Sequence, residues 1–262
     1  MNPFHFGVAD KRLFGVYHPA PAERSGNVGV VVCPPTRDEY TLSHRALRQL
    51  ATHLARAGLP AFRFDYYGTG DSFGDCEDGR IAQWRDDIGM AIDELKSLSG
   101  VSHIALVGLR LGATLAAMAA GDRRDAGDVS RVVLWDPVVF GKRYVEALRA
   151  RHDAFLRSGW RATHDDAGPF DGLFGFPITD GILADLGAID LTAVTAYPGN
   201  RVYVVVSQGT KECDELRRVL AERGTEVVFE DVKGLRVWEK DALLSRELVP
   251  TAAIRRITSW MT

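Results

Sequence analysis

Residues 104–115 carry a charged side chain at a position where a reactive one is usual. They read Ile-Ala-Leu-Val-Gly-Leu-Arg-Leu-Gly-Ala-Thr-Leu, which predicts an apolar strand, a sharp Gly-x-X-x-Gly turn and a helix of small residues. A serine, cysteine or aspartate at the centre of such a turn acts as a nucleophile. The central residue is Arg110, whose guanidinium stays protonated and cannot attack a carbonyl carbon. Nucleophilic catalysis is therefore excluded at this position.

The histidines agree with the loss of the nucleophile. They are His5, His18, His44, His53, His103, His152 and His164. A triad that starts at such a turn needs an acid and then a histidine after the last strand, and no histidine follows His164. The segment from Lys233 to Trp238 occupies that place, and Trp238 is either a pocket wall or core packing. Asp214 and Glu212 lie nearest the acid position, and we interpret both as surface or helix-capping residues.

A second motif lies some forty residues before this turn. The stretch Arg63-Phe64-Asp65-Tyr66-Tyr67-Gly68-Thr69-Gly70-Asp71-Ser72 resembles the R-x-D-x-x-G-x-G-x-S segment of α/β hydrolases of the serine-aminopeptidase-like type. With the Gly108–Gly112 turn it covers the core from about residue 27 to 138. The Gly-Leu-Arg-Leu-Gly-Ala turn resembles a triad-deficient branch found in exosortase-associated and natural-product gene clusters. In fold, length and missing triad the chain also resembles the α/β-hydrolase-fold epimerases of bottromycin-type peptide biosynthesis.

Arg110 needs an anion beside it, because the turn places its side chain at the positive end of a helix. Two interpretations stay open. A substrate carboxylate or phosphate could bind the guanidinium. Alternatively, an internal carboxylate neutralises it, and Asp65, Asp136 or Glu39 could reach.

The loop Pro34–Tyr40 stands where hydrolases place one oxyanion-hole amide, and the other amide belongs to Leu111. Prolines lack an N–H group, so Thr36 is the expected donor from this loop. If both amides are in place, they can stabilise a developing enolate. No catalytic residue is assigned. The predicted substrate-binding residues are Pro35, Thr36, Arg110, Leu111, Asp136, Val139 and Trp238.

Three residues outside the turn are candidates for a replacement catalytic group. Cys33 ends the strand before the oxyanion loop, but no base follows it in an obvious position. Ser72 belongs to the Gly-x-Gly-x-Ser turn, where a structural hydrogen bond is expected. His44 is the best-placed histidine, although a helix-start or surface role fits it better.

Strand-like and helix-like segments alternate, which predicts an α/β-hydrolase fold: a mostly parallel central sheet with helices on both faces. We predict a first strand at Leu13–His18, a helix capped by Ser43 and a strand at Leu59–Tyr67. Residues 139–198 break the rhythm and are predicted to form a cap inserted after the sixth strand. The core then comprises residues 1–138 and 199–262.

Composition sets outer limits on function. The chain has 262 residues, a net charge of -3 and three scattered cysteines, so neither nucleic-acid binding nor a disulfide framework is expected. The sequence shows no signal peptide and no apolar run long enough for a membrane helix, and a cytoplasmic location is expected. It shows no metal-binding spacing and no dinucleotide-binding glycine motif, so we expect neither a metal nor a cofactor.

These observations predict an atypical enzyme of the hydrolase fold that tailors a peptide natural product without hydrolysis. Epimerisation or isomerisation next to a carbonyl needs only a base, an enolate-stabilising pair of N–H groups and a tight pocket. A carboxylate of the substrate, held by Arg110 or the oxyanion loop, could be the base. The alternatives are a hydrolase or thioesterase with an unconventional nucleophile and a non-catalytic ligand-binding protein of a biosynthetic pathway.

Overall fold

The computed structural model describes residues 1–21, 23, 26–157, 172–239 and 249–262. The strands are β1 (Asn2–Phe6), β2 (Leu13–His18), β3 (Val28–Cys33), β4 (Ala61–Phe64), β5 (His103–Leu109), β6 (Val129–Trp135), β7 (Gly172–Leu173), β8 (Phe176–Pro177), β9 (Arg201–Val206) and β10 (Glu226–Asp231). Eight of them form one sheet in the order β1-β2-β4-β3-β5-β6-β9-β10. All neighbours from β4 to β10 pair in parallel, whereas β1 and β2 are antiparallel to their neighbours.

Helices cover both faces of this sheet. They are α1 (Arg37–Arg56), α2 (Ile81–Ser99), α3 (Leu111–Asp122), α4 (Gly141–Arg157), α5 (Asp180–Gly187), α6 (Lys211–Glu222) and α7 (Thr251–Met261). Alternate residues of β3 point to opposite faces: Val31 packs in the core under α2, α3 and α6, and Val30 packs in the core under α1 and α7. The predicted fold class is therefore observed. Among the described residues, no helix is long and apolar enough to cross a membrane.

The helix that we predicted to start at Ser43 starts earlier. α1 begins at Arg37, and Thr36 precedes it in an extended conformation. Ser43 is fully buried inside the helix, and its hydroxyl lies 3.5 Å from the carbonyl oxygen of Tyr40. The prediction was wrong because the polar first turn, with Asp38, gives no apolar periodicity but does suit a helix N-terminus.

Two strand predictions also need correction. Leu13–His18 is the second strand, because β1 precedes it at the sheet edge. Only Phe6 of β1 is buried, so β1 has no alternating hydrophobic pattern. β4 is shorter than the predicted Leu59–Tyr67, because Pro60 has no N–H group for a sheet hydrogen bond and the carboxylate of Asp65 accepts a turn hydrogen bond from the amide of Asp71.

Between β6 and β9 the chain forms α4, the β7–β8 hairpin and α5. The predicted cap, residues 139–198, spans these elements, and its residues 158–171 lie outside the described part of the chain. Phe140 of this region forms a β-bridge with Asp190. Gly141 is in close contact with the carbonyl group of Leu186, so α4 and α5 approach closely at this point.

Two glycines provide a matched test of backbone conformation. Gly100 ends α2 with φ of 70°, and neither a Cβ added there nor one added at Gly121 in α3 meets another atom within 4 Å. Gly100→Ala is expected to lower the free energy of unfolding by about 1 kcal/mol, because alanine is strained at positive φ. Gly121→Ala is expected to raise it by about 0.5–1 kcal/mol, because alanine favours the helix. Urea unfolding measures the free energy of unfolding of both variants. Equal changes would contradict the difference in backbone conformation between Gly100 and Gly121.

Candidate functional site

The turn between β5 and α3 has a strained backbone at its centre. Arg110 adopts φ 55° and ψ −123°, a region that side chains other than glycine rarely enter. A Cβ on Gly108 would lie 2.3 Å from the carbonyl oxygen of Gly112, and one on Gly112 would lie 2.3 Å from that of Cys33. Both glycines are therefore required by the close packing of β5, α3 and the loop after β3. The turn keeps its shape with arginine at its tip.

The anion beside Arg110 is Glu39, on the first turn of α1. Its Oε1 lies 3.3 Å from both Nε and Nη2 of Arg110, and the Glu39 side chain is completely buried. Nη1 of Arg110 donates to the backbone carbonyl of Asp136 at 3.2 Å. The Arg110 side chain is 19% exposed. Burial lowers the pKa of Arg110, but the electrostatic effects of Glu39, Tyr144 and Asp136 together outweigh it, and the pKa lies above its ordinary value.

Glu39 also accepts hydrogen bonds from two residues of α4. Its Oε1 also accepts from Nη1 of Arg151 at 3.1 Å, and its Oε2 accepts from the hydroxyl of Tyr144 at 3.1 Å. Arg151 forms a second ion pair with Asp38. Two arginines and two carboxylates therefore join the turn, α1 and α4 into one network.

Aromatic rings flank the Arg110 guanidinium. Its central carbon lies 5.0 Å from the ring centre of Trp238 and 5.6 Å from that of Tyr144, which is within the range of cation–π attraction. Trp238 is only 4% exposed. It lies near the position at which a triad of this fold would have its histidine. It is both packed in the core and part of a cavity wall.

A cavity of about 220 Å³ lies beside Arg110. Of the predicted substrate-binding residues, it brings together Arg110, Asp136, Val139 and Trp238. Pro35 and Leu111 are buried away from it, and Thr36 lines a different cavity. The further lining residues are Pro137, Val138, Phe140, Arg143, Tyr144, Ala147, Gln208, Thr210, Glu212, Cys213, Arg236 and Glu239.

Asp136 lines this cavity and carries a buried carboxyl group. It follows β6 with φ of 46°, and its Oδ1 and Oδ2 accept from the amide and hydroxyl of Ser207 at 2.8 and 2.7 Å. Burial raises the pKa of Asp136 to about 6, although the Ser207 hydrogen bonds and the Arg110 charge oppose the shift. A carboxyl group with this pKa exchanges protons readily near neutral pH.

The replacement nucleophiles are poorly placed for catalysis. Cys33 is fully buried, and burial raises the pKa of its thiol well above the usual range. The Ser72 hydroxyl donates to the carbonyl of Asp65 at 2.6 Å and accepts from the amide of Phe14 at 2.8 Å, which is a structural role. His44 is exposed on α1 and contacts the Tyr40 ring edge-on.

The other carboxylates considered as partners of Arg110 or as triad acids form no ion pair with Arg110. Asp65, a candidate partner of Arg110, accepts from the Tyr40 hydroxyl instead. Glu212 lines the cavity and forms an ion pair with Arg143 at 3.2 Å, whereas Asp214 is exposed in the first turn of α6.

Sequence reasoning missed Tyr144, Arg151 and Ser207. Tyr144 and Arg151 belong to a stretch in which no helix was predicted, so nothing linked them to Arg110. Ser207 directly follows the Val-rich strand β9, and the parallel pairing of β6 with β9 places it next to Asp136. The position of Ser207 directly after a strand could have identified it as a neighbour of Asp136.

Solved structures similar to this chain have the α/β-hydrolase fold. Est1E from Butyrivibrio proteoclasticus, solved with ferulic acid, is 15% identical, with a TM-score of 0.66 over 98% of this chain and 97% of that one. The Pyrococcus furiosus esterase Pf2001 is 14% identical, with a TM-score of 0.65 over 99% and 88%. A serine hydrolase homologue from Coxiella burnetii is 15% identical, with a TM-score of 0.59 over 98% and 97%.

No protein-family model matches the chain, and no curated protein matches it. At these low identities the structural similarity defines the fold and not the reaction. The protein therefore has the α/β-hydrolase fold, with a mostly parallel central sheet and helices on both sides.

Proposed function

We propose that this protein moves a proton at a carbon next to a carbonyl group, and so epimerises or isomerises its substrate without hydrolysis. One observation carries the proposal: Asp136, whose carboxyl group has a pKa raised to about 6, lines the same cavity as Arg110. A base with a pKa near the working pH is efficient in proton transfer.

Each group in the cavity has a defined part in such a reaction. An oxygen of Asp136 takes the proton, and the electron pair of the broken C–H bond enters an enolate. Arg110 has five N–H donors, and hydrogen bonds to Glu39 and Asp136 use three of them. A remaining donor can stabilise the enolate oxygen. A water molecule at the opposite face of the carbon then donates a proton, which forms the epimer, and Asp136 passes its own proton to the hydroxide that is left.

We further propose that the substrate is a peptide natural product. The cavity, at about 220 Å³, is smaller than the roughly 300–1,000 Å³ of most small-molecule sites, and it suits one amino-acid residue at a time. The resemblance to bottromycin-type epimerases in fold, length and missing triad favours the same class. The Glu39 ion pair makes Asp136 a better candidate base than a substrate carboxylate held by Arg110, because Glu39 already neutralises that guanidinium.

Deuterium exchange tests the proposal. The protein is incubated in heavy water with a panel of short peptides, and mass spectrometry and NMR follow the α-protons. Deuterium is expected at one α-carbon, with both configurations formed. Protein denatured by heat is the control. Tight peptide binding without exchange would contradict the proposed reaction.

That contradicting outcome would favour a second candidate, a binding protein of a biosynthetic pathway. The observation behind this alternative is the closed Arg110–Glu39 pair, which needs no ligand to neutralise it. Calorimetric titration detects binding of the same peptides, and their α-proton exchange separates the two functions, since a binding protein returns its ligand unchanged.

A further inference from the structure

A second cavity of about 380 Å³ lies at the start of α1. Its lining residues are Thr36, Arg37, Tyr40, Thr41, His44, Gly68, Thr69, Gly70, Cys76, Trp84 and Phe176, and none of them lines the Arg110 cavity. The two cavities are therefore built from different residues.

Arg37 is the cation of this second cavity. It is half-buried with φ of 59°, and its Nη1 donates to the backbone carbonyl of Pro177 at 2.7 Å. Among the described residues, no carboxylate lies within ion-pair distance of its guanidinium. The neighbouring carboxylate, Asp38, is paired with Arg151. Burial lowers the pKa of Arg37, and nearby groups, Asp38 among them, oppose this effect only in part, as expected for a partly desolvated cation without a paired carboxylate.

Arg110 and Arg151 provide a direct contrast. Each is partly buried and has a carboxylate partner within 4 Å. Holding a guanidinium away from water without an anion is costly, and the backbone of Arg37 is also strained. An external anion in the cavity would compensate the charge.

The other lining groups suit an organic anion. Trp84 and Phe176 provide apolar walls and Thr36 is a further lining residue, whereas the Thr69 hydroxyl donates to the backbone carbonyl of Tyr66 at 2.8 Å. The nearby Asp65 carboxylate accepts from the Tyr40 hydroxyl and the Asp71 amide, which reduces its repulsion of an incoming anion. Partial burial lowers the pKa of His44, and Arg37 carries the positive charge of the cavity.

We propose that this cavity binds a small carboxylate, with its anionic group on Arg37 and an aromatic or branched body against Trp84 and Phe176. The binding site lies outside the Arg110 cavity and does not depend on the proposed proton-transfer reaction.

Cysteine labelling reports on the site directly, because Cys76 lines this cavity and Cys213 lines the other one. The protein is treated with iodoacetamide with and without benzoate, and mass spectrometry measures alkylation at each cysteine. Benzoate is expected to slow the alkylation of Cys76, and neutral benzyl alcohol is expected to leave it unchanged. Unchanged Cys76 alkylation with benzoate, or an effect at Cys213 alone, would overturn the proposal.

A pair of variants on the same helix tests the role of the guanidinium. Arg37→Met is expected to weaken the affinity for benzoate about tenfold or more, because a charge-assisted hydrogen bond is lost. Arg45→Met removes an equal charge from an exposed position of α1 and is expected to keep the affinity, while Arg37→Lys is expected to be intermediate. Circular dichroism checks the fold of each variant. Equal affinity of wild type and folded Arg37→Met would refute the assignment.

Discussion

Replacing Glu39 by glutamine is expected to lower the free energy of unfolding by about 3 kcal/mol, at the lower end of what a broken buried ion pair costs. The Glu39 carboxylate is completely buried and accepts hydrogen bonds from Arg110, Arg151 and Tyr144. After the substitution, the guanidinium groups of Arg110 and Arg151 have a single carboxylate nearby, that of Asp38, which pairs with Arg151. Partial exposure of the two arginines, 19% and 30%, keeps the effect from being larger. Urea unfolding followed by tryptophan fluorescence measures it.

A double-mutant cycle separates the ion pair from other effects of the substitution. Arg110→Met alone leaves Glu39 with Arg151, and the double variant removes the cation together with its carboxylate. The double variant is expected to lose less stability than the sum of the two single variants, by at least about 1 kcal/mol.

The Arg143–Glu212 pair is the matched control, because its side chains are 57% and 33% exposed. Glu212→Gln is expected to cost less than about 1 kcal/mol. A Glu39→Gln effect no larger than that of Glu212→Gln would show that the network does not stabilise the fold.

Short-range sequence features predicted the turn around Arg110, whereas the partner of Arg110 depends on long-range packing. The Gly-x-X-x-Gly spacing defines the turn, because Gly108 and Gly112 must pack against backbone within a few residues of them or on β3. Glu39 is 71 residues away in sequence and reaches Arg110 only because α1 starts at Arg37. The sequence alone does not separate Glu39 from Asp65 and Asp136 as partners of Arg110.

Asp136 illustrates the same limit. Its position after β6 indicated that it could reach Arg110, and it does so, but through its backbone carbonyl. Its side chain accepts hydrogen bonds from Ser207 instead, which no local pattern revealed. The carboxylate therefore does not neutralise Arg110 by direct contact.

Replacing Asp136 by asparagine is expected to slow deuterium exchange into the substrate by about 10²–10⁴-fold, the usual contribution of a general base. Asparagine has nearly the same size, and its oxygen can still accept from the Ser207 amide, but it cannot take up the proton. Initial rates of exchange at saturating peptide measure the loss. An unchanged rate would exclude Asp136 as the base.

Ser207→Ala is the matched control for that experiment. It keeps the carboxyl group and removes the hydroxyl that donates to Oδ2. Loss of a hydrogen bond to the ionised form raises the pKa of Asp136 further. We expect exchange to persist and its rising limb, which follows ionisation of the base, to shift to higher pH than in the wild type, where it lies near pH 6.

Stability should follow the same carboxyl group with a definite sign. An unfolded aspartate ionises near its ordinary pKa of 3.8, but Asp136 in the folded protein ionises near 6. Between about pH 4 and pH 6 the folded state therefore binds more protons, and the Asp136 contribution to stability falls as pH rises. Asparagine has no such contribution. The free energy of unfolding of Asp136→Asn, relative to wild type, is expected to rise by about 2 kcal/mol from pH 4 to pH 7. Urea unfolding at a series of pH values measures this difference, and a constant difference would mean that Asp136 ionises in the folded protein as it does in the unfolded chain.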